Sequence, residues 1–304
     1  MEMHQLRYAV AVARMGNFSR AAEHCHVAQP SLSQQILKLE EELGERLFER
    51  TKREARPTTH GEAFLRRALR ILEEVDAAHR EAEDAKDLLT GTVTIGVIPT
   101  IAPYLLPRAM AAFAKEYPGV EMIVQEETTP RLLKLLHNYE IDFALISPPL
   151  EEPPGSQLGT MHLLTEELLL ALPPDHALTR KKTITPGDLN QEQLIIMKEG
   201  HCLGEQVLNF CKSPGIRPQV SFRSAQLETI RSLVCAGMGI SLIPAMAAPT
   251  AKSSGPVFRS LSPRQPTRSV VAAWPKHRLL GRAATAFLKT VTAQLKSNAS
   301  LRSL

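Results

Sequence analysis

From Thr58 to about Leu89 the sequence reads as one long helix, free of glycine and proline after Gly61. Within it Leu65, Ala68, Leu72, Val75, His79 and Ala82 recur at three-to-four spacing, the seam of a two-stranded coiled coil. His79 reads as a polar residue tolerated in that seam rather than as a ligand. A helix this long cannot bury such a stripe against the short segment before it, so dimerisation through the stripe is expected. The stalk also divides the 304-residue chain into a small N-terminal part and a much larger C-terminal one.

Composition narrows the classes. A hydrophobic content of 43% with 22% charged residues is that of a globular protein. The net charge of +4 is too small to imply nucleic acid by itself, so any basic footprint must be local. Four cysteines make no disulfide framework, and reduced thiols are the expectation. The opening Met1-Glu2-Met3-His4-Gln5 has no basic stretch leading into an apolar core, and no apolar run is long enough to span a bilayer. A cytoplasmic protein with no membrane partner is expected.

Before the stalk, Leu6, Ala9, Val10 and Ala13 mark a first helix ending near Gly16. Ser19 is expected to cap a short second helix, Arg20 to Cys25, with Cys25 as packing. A turn through His26 to Gln29 leads to Pro30, the expected first residue of a third helix that stops at Gly44. In that helix Leu32, Ile36, Leu39 and Leu43 form a core face, while Pro30, Ser33, Gln34 and Lys38 share the other side. Two helices in tight succession, the second polar near its start, make a helix-turn-helix reader. Ser33 and Gln34 could reach base edges there. Arg46, Arg50, Lys52, Arg53 and Arg56 follow in an expected wing, where cations hold phosphates without reading sequence.

Beyond Thr90-Gly91 strands and helices alternate. Thr92–Val97, Val120–Gln125 and Phe143–Ile146 read as strands, with helices from near Tyr104 and over Pro130–His137. This rhythm predicts a mainly parallel sheet with ligands at the carboxyl ends of its strands. Thr100 and Thr129 stand at two such ends, as ordinary helix caps or as ligand groups. The Pro- and Glu-rich loop Pro148 to Gly159 reads as a crossing into a second lobe. That lobe's strands are expected over 168–172, 194–197, 220–223 and 240–243, with a helix over 226–236 that carries Cys235 as core. Ser269–Trp274 then returns to the first lobe, and a helix over 280–295 closes it. Two crossings make a hinge.

One stretch of the second lobe carries chemistry. Gly200 allows a turn, and Leu203, Val207 and Phe210 continue as a short helix. Cys202 falls at its N-terminus, where unpaired N–H groups and the dipole favour a thiolate. Cys211 lies nine residues on, about 13.5 Å along a helix and on its opposite face. A disulfide needs Cα atoms within about 7 Å, so this pair can join only if the helix gives way. Inert packing is the other reading of two cysteines in one segment.

The segments Phe18-Ser19-Arg20-Ala21-Ala22, Val27-Ala28-Gln29-Pro30-Ser31-Leu32-Ser33, Leu37-Lys38-Leu39-Glu40 and Leu47-Phe48-Glu49-Arg50-Thr51 resemble the N-terminal domain of LysR-type transcriptional regulators. The resemblance implies an α+β chain: a winged helix-turn-helix over 1–60, a linker and dimerisation helix over 61–90, and a two-lobed, periplasmic-binding-protein-like sensor over 91–304. Lobe I would take 91–162 and 268–304, and lobe II 163–267. It also implies Gln29, Pro30, Ser33, Gln34, Arg50 and Arg53 as contacts to double-stranded DNA.

Further segments are similar to the hydrogen-peroxide-sensing branch of that family: Ile98-Pro99-Thr100, Pro103 to Pro107, Gly200-His201-Cys202-Leu203 with Gln206 and Phe210-Cys211, Leu227-Glu228-Thr229, and Ala236 to Ile240. This implies Cys202 as the peroxidatic and Cys211 as the resolving cysteine, with His201, Thr100 and Thr129 around the peroxide. The branch commonly carries an arginine two residues after the reactive cysteine, where this chain has Gly204. Lowering the thiol pKa then falls to the helix terminus, His201 and Lys198.

The expected protein is thus a homodimer or homotetramer that answers hydrogen peroxide at antioxidant promoters, with RNA polymerase as a further partner. A cellular dithiol system would reset it, and neither a cofactor nor enzyme turnover is expected. Two rivals remain at this level: a LysR-type regulator binding a small metabolite between its lobes, and a thiol peroxidase using the same cysteines. No zinc spacing, phosphate-binding glycine loop or Ser–His–acid arrangement points to other catalysis.

Overall fold

The computed structural model describes residues 1–50, 54–83, 89–151, 157–190, 192–212, 219–248, 255–276 and 278–302. It comprises two compact units, 1–87 and 88–304.

The first unit packs α1 (Met3–Met15), α2 (Phe18–His24) and α3 (Gln29–Leu43) around one core, followed by a hairpin of β1 (Phe48–Arg50) and β2 (Ala55–Pro57) and by α4 (Thr59–Glu83). Asn17, rather than Ser19, caps α2: its side-chain oxygen accepts from the N–H groups of Ser19 and Arg20. Helix α3 begins one residue before Pro30 and ends on Gly44, whose φ of 72° suits a glycine C-cap. Leu32, Ile36 and Leu39 are fully buried, but Leu43 is exposed, because the chain leaves the core at the last turn. Buried Glu40 accepts from the N–H groups of Leu47 and Phe48 and so fixes where the wing begins.

The stalk departs from expectation at its base. Leu65 and Ala68 are buried in this unit's own core, and Leu72 packs partly against it, so these seam positions are covered without a second helix. The side chains of His79 and Ala82 lie outside the described residues.

The second unit runs through β3 (Gly91–Val97), α5 (Ala102–Glu116), β4 (Val120–Glu126), α6 (Thr129–His137), β5 (Phe143–Ile146), β6 (Leu158–Leu172), β7 (Gln193–Met197), α7 (Cys202–Cys211), β8 (Gln219–Ser224), α8 (Leu227–Cys235), β9 (Ser241–Pro244), β10 (Val257–Arg259), β11 (Thr267–Pro275) and α9 (Arg282–Arg302). Seven strands form one sheet in the order β10-β6-β11-β5-β3-β4, with β9 also on β6. The expected mainly parallel sheet is not what forms. Of the six pairings among its described strands, only β3–β4 and β3–β5 are parallel. The reason is that the two crossings are themselves strands: β6 and β11 run antiparallel side by side, pairing from Leu158–Pro275 to Glu167–Thr267. Strands β7 and β8 form a separate parallel pair.

Two hydrophobic cores lie in this unit. One gathers β3, β5, α5, α6 and α9, with the Phe287 ring in contact with both Phe113 and Phe143. The other gathers β7, β9, α7 and α8. Helix α7 straddles them.

Candidate functional site

Gly200, at φ 84°, turns the chain out of β7, and His201 occupies the N-cap position, leaving Cys202 as the first residue of α7. The helix spans Cys202 to Cys211, so both cysteines stand at its ends, as the spacing predicts. Both are free thiols and both are buried. They are buried in different places: Cys202 belongs to the first core, whereas Leu203, Val207, Phe210 and Cys211 belong to the second.

Cys202 shares a small recess with Thr100, Thr129 and His201, walled further by Ile98, Pro99, Thr128 and Leu203. Its volume of about 10 Å³ approaches room for one water-sized molecule. Thr100, Thr129 and His201 are all buried. Neither threonine caps a helix. Thr100 Oγ1 accepts from Arg268 at 2.8 Å, and Thr129, already inside α6, has a buried Oγ1 that makes no hydrogen bond among the described residues. The Thr129 hydroxyl nonetheless faces the Cys202 sulfur closely enough to favour its thiolate. An unsatisfied buried hydroxyl beside a thiol is a place for a small polar ligand.

The electrostatics differ from expectation. Burial raises the Cys202 pKa, outweighing the Arg268 guanidinium, the Thr129 hydroxyl and the Leu203 N–H that oppose it. The helix terminus therefore does not make Cys202 a standing thiolate. Nor is His201 a cation: burial, and then the charge of Lys198, depress its pKa. Burial pushes the Cys211 thiol up to about 11.

Arg268 is the residue that sequence reasoning missed. Its side chain is fully buried; Nε donates to Glu166 at 2.9 Å, Nη1 to Thr100 Oγ1, and Nη2 to the Thr100 carbonyl at 3.0 Å. Arg268 and Glu166 face each other across β11 and β6, and Glu166 also accepts from the Met246 N–H at 2.7 Å. The signal lay in alternation: Arg268 and Val270 flank Ser269 at an inward register, an unusual place for a charge.

Two features hold α7. Gln206 Nε2 donates to Ser147 Oγ at 2.8 Å and to the Pro148 carbonyl at 2.7 Å, tying the helix to the end of β5. Gly204 lies so close to β7 that a Cβ there would sit 2.5 Å from the Met197 carbonyl oxygen. The helix packs against the strand at this position, leaving no room for a side chain.

In the first unit Gln29, Pro30 and Gln34 are exposed near the start of α3, and Gln29 Nε2 donates to Ser33 Oγ at 2.8 Å. The Arg50 side chain and all of Arg53 lie outside the described residues. Arg56 pairs with neighbouring Glu54 at 2.7 Å.

The family profile described as a bacterial regulatory helix-turn-helix protein of the lysR family matches residues 3–62, and the LysR substrate binding domain matches 86–296. The chain belongs to the LysR family. Among LysR-family relatives, the DNA-binding transcriptional dual regulator OxyR of Escherichia coli K12 is 36% identical over 271 residues, 89% of this chain and 88% of that one. A full-length OxyR variant from Pseudomonas aeruginosa superposes with a TM-score of 0.79 at 32% identity, covering 97% of this chain and 95% of its own. An H2O2-bound cysteine mutant of Corynebacterium glutamicum OxyR gives 0.65 at 29% identity, covering 99% and 96%. No described helix is long and apolar enough to cross a membrane.

Proposed function

We propose that this chain is a cytoplasmic, DNA-bound regulator of antioxidant genes that detects hydrogen peroxide through Cys202 and records it as a Cys202–Cys211 disulfide. The observation that carries the reading is the burial of the two sulfurs at opposite ends of one helix and in two different cores. No bridge can form without drawing at least one cysteine from its core, so the chemistry is inseparable from a change of shape. Relatives named as hydrogen peroxide-inducible genes activators support the stimulus, among them one from Dickeya chrysanthemi at 37% identity over 82% of this chain.

Peroxide enters the recess beside Thr100, Thr129 and His201. The Cys202 thiol gives its proton to solvent, and the thiolate attacks one peroxide oxygen. The O–O bond breaks, the departing hydroxide takes a proton to leave as water, and Cys202 becomes a sulfenic acid. Arg268 and the Thr129 hydroxyl stabilise the anion. The Cys211 thiol then displaces the sulfenic hydroxyl as a second water, closing the disulfide and dismantling α7. A cellular dithiol restores both thiols.

On the DNA side, Gln29, Pro30, Ser33 and Gln34 of α3 enter the major groove, while Arg50 and Arg53 hold phosphates. The chain acts as a homodimer or homotetramer on paired half-sites and recruits RNA polymerase. The solved structure of full-length CbnR with its target DNA, 25% identical with a TM-score of 0.63, supports DNA binding by this chain.

The test is a peroxide titration of the purified chain with thiol mapping by mass spectrometry. A Cys202–Cys211 bridge is expected at stoichiometric peroxide, and a stable sulfenic acid in Cys211→Ser. Unmodified thiols in excess peroxide would overturn the reading.

A further inference from the structure

Cys202 has a second opening. Besides the recess, it lines a cleft of about 180 Å³, and Cys202 and Thr129 are the two described residues that both spaces share. The cleft wall beyond them is apolar, with buried Leu133 flanked by Pro130 and Pro149. For scale, a dry apolar cavity of about 150 Å³ accommodates benzene. A molecule as small as hydrogen peroxide would leave most of this volume empty.

We infer that the cleft admits the organic half of an alkyl or aryl hydroperoxide, whose O–OH end reaches Cys202 from that side, making such hydroperoxides a second class of stimulus. The inference rests on the peroxide reading of Cys202 given above. Three features define the occupant. The reactive wall is a thiol poised for an O–O bond, the body of the cleft suits a tail the size of a substituted benzene ring, and the rim bears on the sign of its charge. The rim carries Lys134 against Glu151 and Glu205, one cation and two anions, so an uncharged tail is preferred to a carboxylate.

The chemistry balances as for hydrogen peroxide. The Cys202 thiolate attacks the terminal oxygen of R–O–OH, the O–O bond breaks, and the alkoxide takes a proton from solvent and leaves as the alcohol. Sulfur loses two electrons and the hydroperoxide gains them. Cys211 then closes the bridge with loss of water.

The full chain, reduced and freed of reductant, is mixed separately with hydrogen peroxide and with cumene hydroperoxide, and bridge formation is followed by acid quench, alkylation and mass spectrometry. The expected rate constant with cumene hydroperoxide lies within tenfold of that with hydrogen peroxide; a larger deficit overturns the inference. Lys134→Trp, which places a ring over the cleft, is expected to lower the cumene-to-hydrogen-peroxide ratio at least fivefold, and Glu151→Trp does the same from the opposite rim. A smaller change in both variants overturns the assignment of the cleft. If hydrogen peroxide oxidises Cys202 and cumene hydroperoxide does not, only this inference fails; if neither oxidises it, the peroxide reading fails as well.

Discussion

Burial sets the chemistry of the two cysteines. A thiol held above its ordinary pKa is mostly protonated at neutral pH, and only its thiolate attacks a peroxide. The sign follows directly: raising the pH enlarges the reactive fraction. The rate of Cys202 oxidation is therefore expected to rise about tenfold per pH unit from 7 towards 9. Stopped-flow measurements on Cys211→Ser would check this; a flat profile would mean a thiolate already formed at neutrality. Both cysteines were legible in the sequence, as was their placement at the helix ends. Their raised pKa values were not, because desolvation comes from residues brought in by the fold. Arg268 reaches Cys202 from a strand more than sixty residues on, which local spacing does not reveal.

A Cys202–Cys211 bridge would require helix α7 to give way, and Gln206 clasps that helix to the end of β5. Its two hydrogen bonds to Ser147 and Pro148 must break if the helix unwinds. At roughly 0.5–1.5 kcal/mol each, they oppose that step by about 1–3 kcal/mol. Gln206→Leu is expected to speed conversion of sulfenic acid to disulfide by about tenfold, read under saturating peroxide where the first oxidation no longer limits. An unchanged rate would mean the clasp is still closed in the rate-limiting step. Most elements were legible to within a few residues, since periodicity and glycine stops are local signals. The cap of α2 was misassigned because Asn17 and Ser19 are both competent, and only backbone geometry chooses between them.

At the scale of the molecule, the two crossing strands carry a buried ion pair. Arg268 is fully buried and the Glu166 side chain only 8% exposed, so removing one partner strands the other. Glu166→Ala is expected to cost about 3 kcal/mol and to lower the melting temperature of the 88–304 unit by on the order of 10 °C, measured by calorimetry. A shift below about 2 °C would show that Thr100 alone satisfies the guanidinium. The antiparallel character of β6 and β11 was not legible, because strand direction depends on partners far apart in sequence. The stalk shows a similar limit: its seam is visible as a pattern, but which partner fills each position is not. With Leu65 and Ala68 sunk in the reader's own core, the base of α4 and the recognition helix α3 turn as one body. Were a torque applied to that shaft, it would reach the recognition helix directly, and operator geometry would serve as a gauge of twist.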